Sequence, residues 1–359
     1  MTNQRLGNIT NFDSARVENV TRRYRLLDSA RELLPDFRVA KCLHVPIPGQ
    51  QIELWQDDKT GKAHLHGVGR CGSAWVCPVC SAKISIGRAA EIEEAVTNAN
   101  GQGKTVVFVT LTASHKRADR LDDNLKGTKA AIRFMRKSRA WGRLRDVFGL
   151  AGQIDALEIT WGFSAGWHVH SHAAFFMAHP PDVETIEDKI FTQWQNALSK
   201  QGMTCDRAHG VKVLIGTENL PGYLSKWGLK TELTSREKPG REESYSPFQL
   251  LALYEGGEGW AGRLFQEYAD ATKGVSSLRW SRGLRAELGM TGELTDQELA
   301  EAENSEGSTK LTELSRDEFK RLIYAGRRGV IGEMLMVAER GRAELLLWLS
   351  MFGISPPDT

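Results

Sequence analysis

Gly166-Trp-His-Val-His-Ser-His-Ala-Ala-Phe-Phe-Met177 is the stretch from which the rest of the chain can be read. His168, His170 and His172 stand at i, i+2 and i+4, so in an extended strand all three imidazoles project from one face. Imidazole is the commonest metal-ligating side chain, and ligands spaced along one strand can grip a cation without rearranging a loop. Three of the chain's nine histidines within five residues point to such a site rather than to polar residues scattered over a solvated face. Phe175, Phe176 and Met177 continue the strand with apolar side chains.

Working outward, Ile154 to Trp161 reads as a strand that turns through Gly162-Phe-Ser-Ala-Gly166 into the histidine strand, which makes the pair antiparallel. Thr105-Val-Val-Phe-Val-Thr-Leu-Thr112 is a β-branched strand upstream, followed by helical periodicity from Leu121 to Trp141 through Leu121, Leu125, Ile132 and Met135. Downstream, Asp182 to Lys200 carries Ile186, Ile190, Trp194 and Leu198 on one helical stripe, and Val211 to Ile215 is a further strand. Leu220 to Leu229 reads as a short helix. The order β-α-β-β-α-β predicts an α+β fold with a ferredoxin-like antiparallel sheet. Both crossover helices then cover one face, leaving the other for the histidines and a substrate.

The five cysteines are Cys42, Cys71, Cys77, Cys80 and Cys205. Cys77-Pro-Val-Cys80 has the spacing of a metal knuckle, Cys71 lies six residues before it, and Cys42 can return from the far side of a hairpin. That hairpin is expected from Ile52-Glu-Leu-Trp-Gln56 and Lys62-Ala-His-Leu-His66 around Asp57-Asp-Lys-Thr-Gly61. Four thiolates would close a tetrahedral structural zinc site, with His64 or His66 as alternatives to Cys42 for the fourth ligand. Cys205 reads as an ordinary free cysteine. A helix is expected over residues 83–100.

A chain of 359 residues with 41% hydrophobic content can bury a sizeable core and suggests two or three domains. Its formal charge of +2 conceals a segregation. Lys116 to Arg145 holds eleven Lys or Arg against three Asp, whereas Glu287 to Glu318 holds ten acidic residues against two basic. The basic stretch fits phosphate neutralisation on DNA as well as it fits a solvated helix face. Trp141, Trp161 and Trp167 are candidates for stacking on unpaired bases, against the commoner role of tryptophan as core. No apolar run reaches transmembrane length and residues 1–16 have no signal-peptide core, so a cytoplasmic protein is expected. The organisation predicted is an arm or peripheral helix at 1–40, a zinc module with connecting helix at 41–100, a catalytic domain at 101–287, an acidic linker at 288–310 and a helical docking or oligomerisation region at 311–359.

A second element of chemistry is Gly222-Tyr-Leu-Ser-Lys-Trp227. Tyr223 and Lys226 are three apart and share a helix face. A phenol with a pKa of about 10 is a poor nucleophile until a neighbouring cation lowers that value. Taken alone, the pair reads better as a structural tyrosine beside a solvated lysine.

The segment Cys71 to Cys80, the strand with Thr110-Leu-Thr112 and His115, the Gly-Trp-His-Val-His-Ser-His run, the Tyr-x-x-Lys pair, Ser246-Pro-Phe-Gln-Leu-Leu251 and Trp280-Ser-Arg-Gly-Leu-Arg285 occur in one order. In that order they resemble the replication initiator (Rep) proteins of small rolling-circle plasmids, members of the HUH endonuclease superfamily. The resemblance spans roughly residues 40–287. It implies an HUH nickase core with a divalent cation, Mg²⁺ or Mn²⁺, on His170 and His172, with His168 an accessory and Glu158 the candidate third ligand from the neighbouring strand. A one-residue slip would turn Glu158 away. The resemblance further implies Tyr223 as nicking nucleophile on single-stranded and origin DNA, Lys226 as its electrostatic support, and host helicase and polymerase as partners. Relatives with a glutamate four residues before the tyrosine use it to end a round; here that position is Asn219, and Glu218 lies one residue further away. A conjugative relaxase, an HUH transposase and a non-catalytic zinc-dependent DNA-binding repressor are the alternative readings.

Overall fold

A computed structural model describes residues 4–216, 220, 244–302 and 307–355, with side chains from residue 16 onward. The N-terminal segment is a long helix, α1 (Gln4–Leu33), whose Leu26, Leu27 and Ala30 are fully buried. Strands β1 (Ile52–Asp57) and β2 (Ala63–His66) form the expected hairpin, with Leu54 opposite Leu65. Its turn closes because the Asp57 carboxylate accepts from the Thr60 and Lys59 amides, while Gly61 takes a left-handed conformation at φ +68°. Helix α2 (Pro78–Gly101) begins five residues before the start expected from periodicity. Pro78 at its first position and the Cys77 sulfur, accepting the Cys80 amide, supply the start signal.

The central sheet follows: β3 (Thr105–Thr112), α3 (Leu121–Lys137), α4 (Arg139–Phe148), β4 (Leu150–Gly162), β5 (Gly166–Met177), α5 (Val183–Ser199) and β6 (Val211–Ile215). The spatial order β6-β3-β5-β4, with every neighbouring pair antiparallel, is the ferredoxin-like arrangement expected. Two short strands, β7 (Ser244–Tyr245) and β8 (Leu278–Trp280), extend it beyond β4, giving an HUH-like antiparallel sheet of six strands among the described residues. The single helix read over 121–141 is two, because Ser138 leaves the helical region at ψ 149° and caps α4 by accepting the Trp141 amide.

One sheet face, carrying Val107, Val109, Leu111, Ala173, Phe175 and Met177, packs on α3, α4 and α5 through residues such as Met135, Trp141, Ile190 and Trp194. The other face was expected to be open and is divided. Val106, Phe108, Ala174 and Phe176 are covered by Ile92, Val96 and Ala99 of α2 and by Leu284 of α8 (Leu284–Glu287). The histidines occupy the remaining half.

The C-terminal third supplies α6 (Pro247–Glu255), α7 (Gly259–Thr272), α9 (Asp296–Glu301), β9 (Ser308–Leu314), α10 (Arg316–Ile323), α11 (Val330–Ala338) and α12 (Arg342–Ser350). The stretch read as an acidic linker contains α9, which starts with a Thr295–Glu298 capping box. It docks on α2 through Leu299 and Ala300, both buried, and through an Arg88–Asp296 ion pair of 2.8 Å. Strand β9 pairs with β1, Ile52 opposite Leu314, and completes a three-stranded sheet with β2. α11 packs along α1, where Gly332 is required: a Cβ there would lie 2.8 Å from the Tyr24 ring. Neither terminal segment is therefore an appendage. Among the described residues no helix is long and apolar enough to cross a membrane.

Candidate functional site

On β5 the even-numbered residues His168, His170 and His172 face the side that α2 leaves uncovered. The Gly162–Gly166 register of the hairpin fixes what stands beside them. Glu158 of β4 lies directly opposite His170, and Ala156 opposite His172, so the carboxylate shares the histidine face. Strand β3 on the other flank places Thr110 opposite His172 and Thr112 opposite His170.

Each threonine hydroxyl meets the near ring nitrogen of its histidine. Thr112 Oγ1 is 2.9 Å from His170 Nδ1, and Thr110 Oγ1 is 3.1 Å from His172 Nδ1. These contacts fix the ring orientations. His172 Nε2 reaches Glu158 Oε2 at 2.9 Å, and the His170 and His172 rings stack with centroids 5.8 Å apart. In that contact the imidazole nitrogen donates and the carboxylate oxygen accepts only in the tautomer with Nε2 protonated. A cation held here would take the place of that proton. Two imidazole nitrogens and one carboxylate oxygen, supported by hydroxyls, are a chemically suitable set for a divalent ion.

His168 stacks on His170 at 4.0 Å and meets the His115 ring edge-on at 4.4 Å. Burial, then the neighbouring His115, pushes its pKa down to about 4, which keeps the ring neutral at neutral pH. The Nε2 atoms of both His115 and His168 are buried without a hydrogen-bond partner among the described residues. His115, quoted above as part of the upstream segment but given no role, is thus brought to the histidine strand. Tyr223, Lys226, Glu218 and Asn219 lie outside the described residues. Leu220, just before Tyr223, packs against the apolar part of the histidine face.

Cys42, Cys71, Cys77 and Cys80 come together as expected. They are the set of ligand-type side chains, among the described residues, whose donor atoms all lie within 4.8 Å of one another. Cys42 follows a short 3-10 turn, Cys71 follows the β1–β2 hairpin, and Cys77 and Cys80 open α2. The sulfurs of Cys42 and Cys77, Cys42 and Cys80, and Cys71 and Cys80 are separated by 3.7, 3.6 and 3.8 Å. A zinc–sulfur bond of about 2.3 Å in a tetrahedron requires an edge of about 3.8 Å, so these sulfurs stand where a structural zinc needs them. The set contains Cys42, and neither His64 nor His66 belongs to it.

Hydrogen bonds from Cys42, Cys71 and Cys77 hold the Cys80 thiol far below its ordinary range. Contact with Cys42 pushes Cys71 up, and burial pushes Cys77 up. Only a dication would let all four ionise together. The Arg31 guanidinium, bonded to Asp28 and the Cys42 carbonyl, and the positive end of α2 offset the excess negative charge.

No known family profile matches the chain, and no solved structure matches it. Curated proteins do. A protein named Protein rep from Streptomyces lividans is 30% identical over 320 residues, covering 69% of this chain and 70% of that one. A neomycin resistance protein from Streptomyces cyanogenus is 34% identical over 167 residues, 39% of this chain and 38% of that protein. A Protein rep from Lentilactobacillus hilgardii is 26% identical over 142 residues, 39% and 41% of the two chains. A relative aligned over more than two thirds of its length, together with the HUH-like sheet and the cysteine cluster built beside it, shows that the chain belongs to the Rep protein family.

Proposed function

We propose that this chain initiates rolling-circle replication by nicking one strand of its origin with Tyr223 as the nucleophile. The observation that carries the reading is the register that sets Glu158 beside His170 and His172, with Thr110 and Thr112 bracing both rings. A bound Mg²⁺ or Mn²⁺ would supply Lewis-acid polarisation of the scissile phosphate.

The phenolic oxygen of Tyr223 gives up its proton and bonds to phosphorus, while the bond from phosphorus to the 3′ oxygen of the preceding nucleotide breaks. The products are a 5′-phosphotyrosyl link and a 3′-hydroxyl that a host polymerase extends once a helicase has opened the duplex. Lys226, three residues after Tyr223 in the sequence, stabilises the phenolate or the phosphate charge. Glu218 is the candidate base that activates water when the round ends. Support for Tyr223 comes from connectivity: Leu220 packs on the histidine-bearing face, and three residues of chain span about 10 Å at most.

The test is incubation with supercoiled plasmid carrying a candidate origin, in Mn²⁺ or in EDTA. The expected product is a nicked circle with covalently attached protein, formed only with metal and absent with Tyr223→Phe. Tight origin binding with no metal-dependent nick would sink the reading.

A further inference from the structure

At the tip of the β4–β5 hairpin, Trp161, Phe163 and Trp260 line an open pocket of about 340 Å³ together with Arg117, Arg263 and Glu267. The aromatic rings touch one another. Centroids of Phe163 lie 4.8 Å from Trp161 and 5.0 Å from Trp260, and the two tryptophans are 5.4 Å apart. Tyr245 of β7 backs the group at 5.9 Å from Phe163. The orientation is held from outside: the Trp260 indole N–H donates to Glu258 at 2.9 Å, and Glu267 Oε1 accepts the Leu121 amide at 3.0 Å.

Phe163, on the turn between the two strands, is 37% exposed, so part of its ring is open to a guest. Arg117 is anchored at this tip, because Gly166, at φ +74°, would place a Cβ 2.7 Å from the Arg117 carbonyl oxygen. Neither Arg117 nor Arg263 has an acidic partner among the described residues. Two guanidinium groups against the single carboxylate of Glu267, beside aromatic rings tilted by 37° to 73° to one another, disfavour a cationic guest, and an apolar side chain would leave them unused. A guest with a flat π system and an adjoining negative charge satisfies both.

We infer that this pocket receives an unpaired base of the DNA strand, stacked on Trp260 with Phe163 meeting it at an angle, and with the adjoining phosphates on Arg117 and Arg263. The inference rests on the nicking role proposed above and adds a place where the strand is held. Trp161 follows Glu158 by three residues on β4, about 10 Å at the rise of a strand, but projects from the opposite face. A strand lying across the histidines therefore rounds the hairpin tip before its base enters the pocket. This geometry holds the nucleic acid single-stranded at the metal face, since a paired base has no free π face to offer.

The test pairs protein variants with an abasic scan. Full-length protein is titrated with fluorescent single-stranded oligonucleotides covering the nicked sequence, each lacking one base. One abasic position should weaken wild-type binding by about five- to a hundred-fold. Trp260→Ala should weaken binding to the intact strand by a similar factor and be insensitive to that position. Trp260→Phe should recover part of the affinity, and Arg117→Ala with Arg263→Ala, both surface changes, should lower the salt dependence of binding by about two contacts.

If no abasic position couples to Trp260 or Phe163 while Tyr223-dependent nicking persists, the pocket is wrong and the nicking role stands. If the wild type never nicks, the role itself fails whatever the pocket binds. Quenching of tryptophan fluorescence by free ATP without quenching by the oligonucleotide would overturn the strand assignment in favour of a mononucleotide.

Discussion

At the scale of single residues the proposed chemistry would depend on two hydroxyls as much as on two imidazoles. Thr110 and Thr112 each hold one ring nitrogen of His172 and His170, so each ring enters the site already oriented. Removing such a support typically costs 10- to 100-fold in metal affinity. Thr110→Val and Thr112→Val keep the β-branched shape and the strand while deleting the hydroxyl. We expect the Mn²⁺ concentration for half-maximal nicking to rise about tenfold in each, with activity restored at excess Mn²⁺, as read from a metal titration of plasmid nicking. If activity fell without any change in metal dependence, the threonines would have another role. The i, i+2, i+4 spacing made the histidine face legible in the sequence, because strand geometry permits little else. Glu158 was legible only up to the parity of one register, which the hairpin pairing of Gly162 with Gly166 settles. The contact of His115 with His168 had no sequence signal beyond the Thr110-Leu-Thr112 and His115 segment, because residues 53 positions apart meet only through strand pairing.

At the scale of elements, the sheet separates two kinds of surface. The histidines look toward α2 and open space, whereas α3 and α4 cover the reverse face with Leu125, Met135, Trp141 and Leu144 buried. The exposed side of that helix pair carries Arg133, Lys137, Arg139 and Arg143. None of these four pairs with an acidic group among the described residues. The basic stretch therefore points away from the candidate metal site, and we expect it to engage duplex flanking the proposed nick rather than the scissile strand. Replacing Arg133, Lys137 and Arg143 with Ala should reduce the slope of log affinity against log salt for duplex DNA by about 2.7. Metal-dependent cleavage of a short single strand should stay unchanged, and losing both together would contradict the separation. Periodicity announced helix across this stretch but not its division, since apolar residues keep helical spacing on both sides of the break. Ser138, an N-cap residue type, was the only local sign of it.

For the whole molecule, the four sulfurs sit inside a core that gathers segments distant in sequence, and this organisation was the least legible part. Amphipathic patterning shows that a helix has an apolar face, not which surface covers it, so α1 read as peripheral and residues 311–359 as a docking element. In the fold, β9 closes the sheet that begins at Ile52, α11 lies along α1, and Arg16 pairs with Glu339 across nearly the full chain. Val330, Ile331, Met334, Leu335, Phe319, Leu322, Leu345 and Leu349 are all buried there. Each such side chain contributes about 1.5–3 kcal/mol of gross stabilisation on burial, so losing all eight removes an amount of the same order as the roughly 5–15 kcal/mol net stability of a domain. A chain ending after residue 302 would expose the β1 edge and the α1 surface beside Cys42. We expect that truncation to aggregate or to bind substoichiometric zinc, measured by metal content and thermal unfolding of soluble protein. Cys77→Ser should give the same zinc loss in the full-length chain, because a buried serine leaves three sulfurs around a dication. A truncated protein that kept its zinc and melted at the full-length temperature would mean that the C-terminal helices and β9 are an appendage after all.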